Sequence, residues 1–330
     1  MSRIAAISTT LFLMASLHAF AQMSYLNGNK PIMDAHNCYP EKGMHADRLA
    51  RALTVSYPIG IEQDVAGVGG VPVVSHTAET KGDEPTVKAH FFEAVRPIIE
   101  KELQSGDRSK WPIIVVHFDF KSNDPALLRN MWKLLGEYEP WITTVKQTGT
   151  PMQLEPFDPK PLLVLTEVNE AQEMVFFRDV PVGSRLRLFG SANTNTARLK
   201  GKTREESMHL AATVPAAELL TEPPTNYRRW WNLAWAMVEE GGQNRAGDWT
   251  SADEARLKEL VDHAHRKGYW IRFYTLDGFS EAENQGWTAS YNFGSMQAVL
   301  ARWKAAIAAG VNLIASDQYE QLGRALKTMP

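Results

Sequence analysis

The sequence predicts an α/β protein built as one closed (β/α)8 barrel of the TIM type, and three observations predict it. Short apolar, strand-like runs alternate with helical patterns through most of the 330 residues, as parallel strands joined by crossover helices require. About eight such runs are present, the number that closes a barrel. No shift in composition marks a second domain, and 44% hydrophobic with 22% charged residues is an ordinary globular balance. A doubly wound open sheet is the alternative. No glycine-rich phosphate loop follows the first run, which weakens a nucleotide-binding reading.

The expected strands are residues 31–36, 60–65, 71–76, 112–120, 161–167, 184–189, 269–276 and 311–316, with a weaker signal around Asn226 and Tyr227. The helical patterns are clearer. Residues 86–103 carry apolar side chains every three or four positions. Residues 124–137 open on Asp124-Pro125, a helix-start pair. Residues 251–266 begin with Ser251 and Glu254 at capping-box spacing, and residues 295–309 stop at Gly310, a natural C-cap.

Residues 1–21 read as a cleavable signal, leaving 22–330 as the barrel domain. Arg3 supplies the positive region, residues 4–20 are mostly apolar, and Ala19-Phe20-Ala21 fits a small-x-small cleavage site. Ser8, Thr9, Thr10 and His18 interrupt the run, which is short for a membrane anchor. The expected location is secreted or periplasmic. Cys38 is the only cysteine, so stability must come from a core of the size such a chain can bury. An unpaired nucleophilic thiol outside the cell would oxidise, so Cys38 is expected to pack. A net charge of −3, with both signs mixed throughout, gives no nucleic-acid footprint. Nothing points to a protein partner.

The chemistry concentrates where the apolar runs end. Glu62 and Asp64 close IGIEQDV, with His36 upstream in MDAHN and His76 downstream in VPVVSH, and Asp119 and Lys121 close IIVVHFDFKS. Residues i and i+2 of a strand share a face, and a parallel barrel gathers such strand ends at one mouth. Glu62, Asp64 and Asp119 are hard oxygen donors, which suit Ca2+ or Mg2+ rather than zinc. His36 and His76 flank them as acid and base for an in-line displacement, and Lys121 adds a fixed positive charge. Arg272 alternates with Trp270 and Tyr274 in WIRFYTLDG and is expected to enter the same mouth as an anion clamp. Taken singly, an E-x-D at a strand end or a histidine after an apolar run is more often structural; the joint placement is what carries the expectation.

These residues also carry a family resemblance. The order His-Asn, Glu-x-Asp, His, then acid-x-Lys resembles the PLC-like phosphodiesterase superfamily, which includes glycerophosphodiester phosphodiesterases and phosphatidylinositol-specific phospholipases C. AHNCYP, HADRLARAL, IGIEQDV and VPVVSH look most like the altered-inheritance-of-mitochondria branch; LVDHAHRKGYWIRFYTLDG, Trp287 and AAGVNLIASDQYEQL resemble the end of such barrels. The resemblance spans most of residues 22–330, with 144–247 loosely anchored. It implies a metal-dependent phosphoric diester hydrolase acting on a glycerophosphodiester or lipid headgroup, with transient contact at a membrane surface. It implies His36 and His76 as the acid/base pair, Glu62, Asp64 and Asp119 as metal ligands, Asn37 as a further ligand and Lys121 on the phosphate. Asp119 departs from the glutamate of many glycerophosphodiesterases and matches sphingomyelinase D-like members. The alternative from another class is a non-catalytic extracytoplasmic barrel binding a phosphoryl ligand or metal.

Four other features carry weaker signals. His117 shares a face with Asp119 and is expected to be a buried, hydrogen-bonded residue. Glu167 ends a strand and either lines the mouth or caps a helix. Trp230, Trp231 and Trp235 are expected to pack the core, a ligand wall being the sharper reading. Asp317 is expected to cap the helix that follows it.

Overall fold

The computed structural model describes residues 26–41, 44–240, 248–283 and 292–328. The expected signal at 1–21 and Trp287 lie outside these residues. The strands are β1 (Ile32–Ala35), β2 (Ile59–Val68), β3 (Val71–Val74), β4 (Ile114–Phe120), β5 (Val145–Lys146), β6 (Leu162–Thr166), β7 (Arg185–Leu186), β8 (Phe189–Ser191), β9 (Arg228–Ala234), β10 (Trp270–Tyr274) and β11 (Leu313–Ser316). Eight of them, in the order β1-β2-β4-β6-β8-β9-β10-β11, are parallel, and β11 returns to β1 to close the barrel. The fold is therefore the single (β/α)8 barrel that the alternation implies.

Two strands differ from the expectation. The run at 71–76 is not a barrel strand: β3 folds back antiparallel on β2 after Gly69 and Gly70, both at positive φ, a turn that glycine adopts without steric cost. Its place in the count is taken by β9, where Arg228, Arg229 and three tryptophans within residues 228–235 obscure the usual aliphatic signal. The 184–189 run splits into β7, paired with β5, and the barrel strand β8. The helix Ser251–Lys267 is capped one residue earlier than its spacing implied. Thr250, with extended φ and ψ, is the N-cap and forms a reciprocal box with Asp253.

The outer layer fixes which strand residues face inward. Phe118 on β4 packs edge-on against Phe91, at 6.1 Å between ring centroids, and lies 6.5 Å from Phe92, next to the helix Glu93–Ser105. Its neighbours His117 and Asp119 must then point into the barrel. No helix among the described residues is long and apolar enough to cross a membrane.

Candidate functional site

Register assembles the site. In the parallel β2–β4 pair, Glu62 lies opposite His117 and Asp64 opposite Asp119. Two i, i+2 pairs therefore become a two-by-two array on the inner wall. One step below, Asp34 on β1 pairs with Gly60 on β2. A Cβ at residue 60 would sit 2.6 Å from Asp34 Oδ1, so only glycine leaves room for that buried acid.

Arg272 enters from β10, opposite Asn232 on β9. Its guanidinium donates to Asp34 and Glu62, and to Asn232 Oδ1 at 3.0 Å. Arg272 is thus built into the barrel interior and positions Glu62, where the sequence had implied a clamp for a ligand anion. Trp270, two residues earlier, is fully buried and stacks on Phe157 at 5.5 Å; it does not line the cavity. Trp230, Trp231 and Trp235 are also fully buried. Trp230 meets the His117 ring edge-on at 4.9 Å and forms part of the packing beneath the site.

Above this layer is a cavity of about 250 Å³ at the mouth, lined by His36, Asn37, Glu62, His76, His117, Asp119, Lys121, Glu167, Asn232, Arg272 and Tyr274. Apart from Tyr274, every lining side chain is charged, imidazole or amide, and Tyr274 itself carries a hydroxyl. Ligand pockets are usually larger and mostly apolar, so this one suits a small, polar molecule. His36 Nε2 lies 3.8 Å from Glu62 Oε2, and His76 Nε2 lies 3.9 Å from Asp64 Oδ2. The two imidazoles thus stand on either side of the acids. His76 is the more open, and its Nδ1 is 3.2 Å from Glu41 Oε1.

Lys121 follows β4, where its backbone N–H donates to Val65 O. That contact sets its ammonium between Asp64 Oδ2 at 2.8 Å and Asp119 Oδ2 at 2.7 Å. Burial lowers the Lys121 pKa, but the Asp64 and Asp119 charges outweigh it and raise it above the usual lysine value. Burial and the Glu62 charge push the Asp64 carboxyl up to about 7 against the pull of Lys121. Burial would also raise Glu62, yet His36, Arg272 and His117 hold it well below the usual carboxylate range. The His36 imidazole is lowered by burial, and the Glu62 charge and Asp317 bond more than reverse this, to about 9. His117 behaves alike: Glu167 and Glu62 overcome burial and carry it to about 10.

Two groups of side chains have ligand atoms close enough to hold a metal ion, each within 4.8 Å of one another: Glu62, Asp64 and Asp119, and His36, Asp277 and Asp317. The first fits a divalent cation by its donors, three carboxylates, and by a polar atom with nothing to bind. Asp64 is fully buried and its Oδ1 has no hydrogen-bond partner, a costly state that a cation relieves. The second group is internally satisfied. Asp317 accepts from His36 Nδ1 at 2.8 Å and from Arg48 at 2.9 Å, and Asp277 accepts from Ser316 Oγ at 2.6 Å and from the Asp317 backbone at 2.7 Å.

Asn37, implied as a ligand, adopts φ 50° just after β1, a left-handed conformation that asparagine tolerates. It donates to Asp317 at 3.1 Å and accepts from the Tyr39 hydroxyl at 2.8 Å. That same hydroxyl lies 2.7 Å from Asp64 Oδ2, so its single proton serves one acceptor at a time. Asp317 orients His36 and does not cap the following helix. Glu167 lines the mouth, 2.9 Å from His117 Nε2. Cys38 is buried, which pushes its thiol well up. Asp34, Tyr39 and Asn232 went unnoticed in the sequence. Asp34 was legible, since it precedes His36 by two and shares its face.

No family model matches the chain, and no curated protein matches it. The solved structures that match include HPPK-DHPS of Plasmodium falciparum. A triple mutant with pteroate has TM-score 0.41 at 10% identity, over 90% of this chain and 47% of that one. The wild type with pteroate has TM-score 0.37 at 10% identity, over 90% and 46%. The wild type with STZ-DHP has TM-score 0.39 at 9% identity, over 90% and 46%. This chain thus spans about half the length of those it matches, and likeness at this level transfers no activity to it.

The family reading from the sequence is corrected by these results. None of the reported neighbours is a PLC-like phosphodiesterase, and no family model links the chain to that superfamily. The phosphoric diester hydrolase and sphingomyelinase D-like activities, the phosphodiester substrate and the phosphoryl-binding alternative fall with it. The physical reason lies in the topology. A parallel barrel sends every strand-end pair to one mouth, so His-Asn, Glu-x-Asp and acid-x-Lys describe an architecture that hosts many unrelated chemistries.

Proposed function

We propose that the barrel mouth is a divalent-cation-dependent site for a small polar molecule, with proton transfer by His36 and His76. The observation that carries this reading is the buried, unpartnered Asp64 Oδ1 in a group of three carboxylates, of which Glu62 and Asp119 line a polar cavity and Asp64 lies buried behind them. Glu62, Asp64 and Asp119 would hold the cation, Mg2+ or Ca2+, because every donor is a hard oxygen. When bound, the ion supplies a positive centre that draws an anionic or carbonyl oxygen of the ligand and stabilises charge developing there.

The chain's own groups do the rest. Arg272 and His117 hold Glu62 in place. Asp317 fixes the His36 ring through Nδ1, leaving Nε2 directed to the cavity side; a histidine so oriented is suited to give a proton to a bound molecule. His76, across the acids and nearer solvent, is placed to take one. The Lys121 ammonium offsets the charge of Asp64, and the Tyr39 hydroxyl is within hydrogen-bond reach of the same oxygen.

Crystals soaked in Mn2+ test the cation site. The expected result is one anomalous peak among Glu62, Asp64 and Asp119. A peak among His36, Asp277 and Asp317 alone, or none at the mouth, would overturn the reading.

A further inference from the structure

The Lys121 ammonium and a cation held by Glu62, Asp64 and Asp119 would draw on the same two aspartate carboxylates. Nζ is 2.8 Å from Asp64 Oδ2 and 2.7 Å from Asp119 Oδ2, two of the three carboxylates whose oxygens gather within 4.8 Å. A ligand set normally has no cationic side chain seated on its oxygens, because like charges at that separation repel strongly. The contact is also not incidental. Lys121 is the residue directly after β4, and its backbone N–H is pinned to Val65 O on β2 at 2.8 Å. The two strands that supply the acids therefore also fix the root of the lysine side chain.

We propose that Lys121 is a tethered cation that competes with the divalent ion for Asp64 and Asp119, and so sets how tightly this site binds metal. The inference rests on the reading of Glu62, Asp64 and Asp119 as a cation site. A tethered charge is present at a high effective concentration, so it balances the acids whenever free metal is scarce. It does so incompletely. One ammonium reaches a single oxygen of Asp64, and Oδ1 stays buried without a partner. A dication offers twice the charge and more coordination positions than three N–H donors. The site is thus arranged for exchange: ammonium contacts on Oδ2 of both aspartates are given up when the divalent ion enters. Affinity is lowered, and the acids keep a positive counter-charge in both states.

Isothermal titration calorimetry of Mg2+ and of Ca2+ into wild type, Lys121→Met and Lys121→Gln tests this. The glutamine variant keeps a hydrogen-bonding side chain, in case the methionine variant leaves the acids too poorly balanced to fold; circular dichroism checks each variant. Removing a unit charge a few Å from a bound ion is worth roughly 10- to 1000-fold in affinity at an intermediate dielectric, so tighter binding by at least about tenfold is expected. Equal or weaker binding in a folded variant overturns the competition while leaving the cation site standing. Binding in the variants and none in wild type supports competition and sinks the metal reading for the native chain. No binding in any of the three overturns both.

Discussion

Two clusters of acids lie at the same barrel mouth and have opposite characters. His36, Asp277 and Asp317 form a closed group in which imidazole, guanidinium, hydroxyl and backbone donors of the chain answer the carboxylates. Glu62, Asp64 and Asp119 form an open one: Glu62 and Asp119 line a polar cavity, and a buried Asp64 oxygen is left unanswered. Both have the spacing of a metal site. The difference shows that proximity of acids does not identify such a site. Unsatisfied acceptor capacity within a group that reaches a cavity does.

The largest effect should come from breaking the closed cluster. Asp317→Ala leaves Arg48 and His36 buried without their carboxylate, and loss of one partner of a buried pair costs about 3–5 kcal/mol. Urea unfolding should show that loss; a change below about 1 kcal/mol, the scale of an exposed pair, would mean the cluster is not structural.

The pH dependence separates the clusters next. His36 is raised in the folded state from 6.5 to about 9. Its contribution is therefore complete below pH 6.5 and is lost as pH rises through about 9. Asp64 is an acid raised from 3.8 to about 7. The folded state holds that proton longer than the unfolded chain, so stability from this group also falls as pH rises, between about 4 and 7. Saturating Mg2+ should remove the lower step, since a liganding carboxylate is already ionised. A stability profile followed by urea midpoint should lose the step below pH 7 in Mg2+ and keep a decline towards pH 9. A profile that rises over this range would contradict both assignments.

Tyr39→Phe is a finer cut. It removes the hydroxyl shared by Asn37 and Asp64 and should cost about 1 kcal/mol, the net worth of one hydrogen bond. Asp119→Asn should change the metal-free stability least, within about 1 kcal/mol either way, because Asp119 is partly exposed and its pair is screened. Chemical denaturation of the two variants side by side gives the ranking. A larger loss for Asp119→Asn than for Tyr39→Phe would reverse it.

The sequence carried the barrel and its inner wall because both rest on period-two alternation. Glu62 with Asp64, and His117 with Asp119, declare a shared face without knowledge of the fold. Pairing between strands was not legible. That Asp64 meets Asp119 depends on the β2–β4 register, and that Asp317 meets His36 depends on β11 closing against β1, 281 residues apart. Arg272 was correctly placed on the inner face, but its commitment to Asp34 and Glu62 needed three strands to be brought together. β9 was only weakly signalled, around Asn226 and Tyr227, because tryptophans and arginines replaced the aliphatic run. The family resemblance failed for a related reason, since strand-end motifs report shared topology more strongly than shared chemistry.

The contrast between the clusters is tested most directly by differential scanning calorimetry with and without Mg2+ or Ca2+ on wild type, Asp64→Asn and Asp277→Asn. The ion should raise the unfolding temperature of wild type and of Asp277→Asn and leave Asp64→Asn unchanged. Stabilisation that persists in Asp64→Asn and disappears in Asp277→Asn would place the cation in the closed cluster and contradict the account.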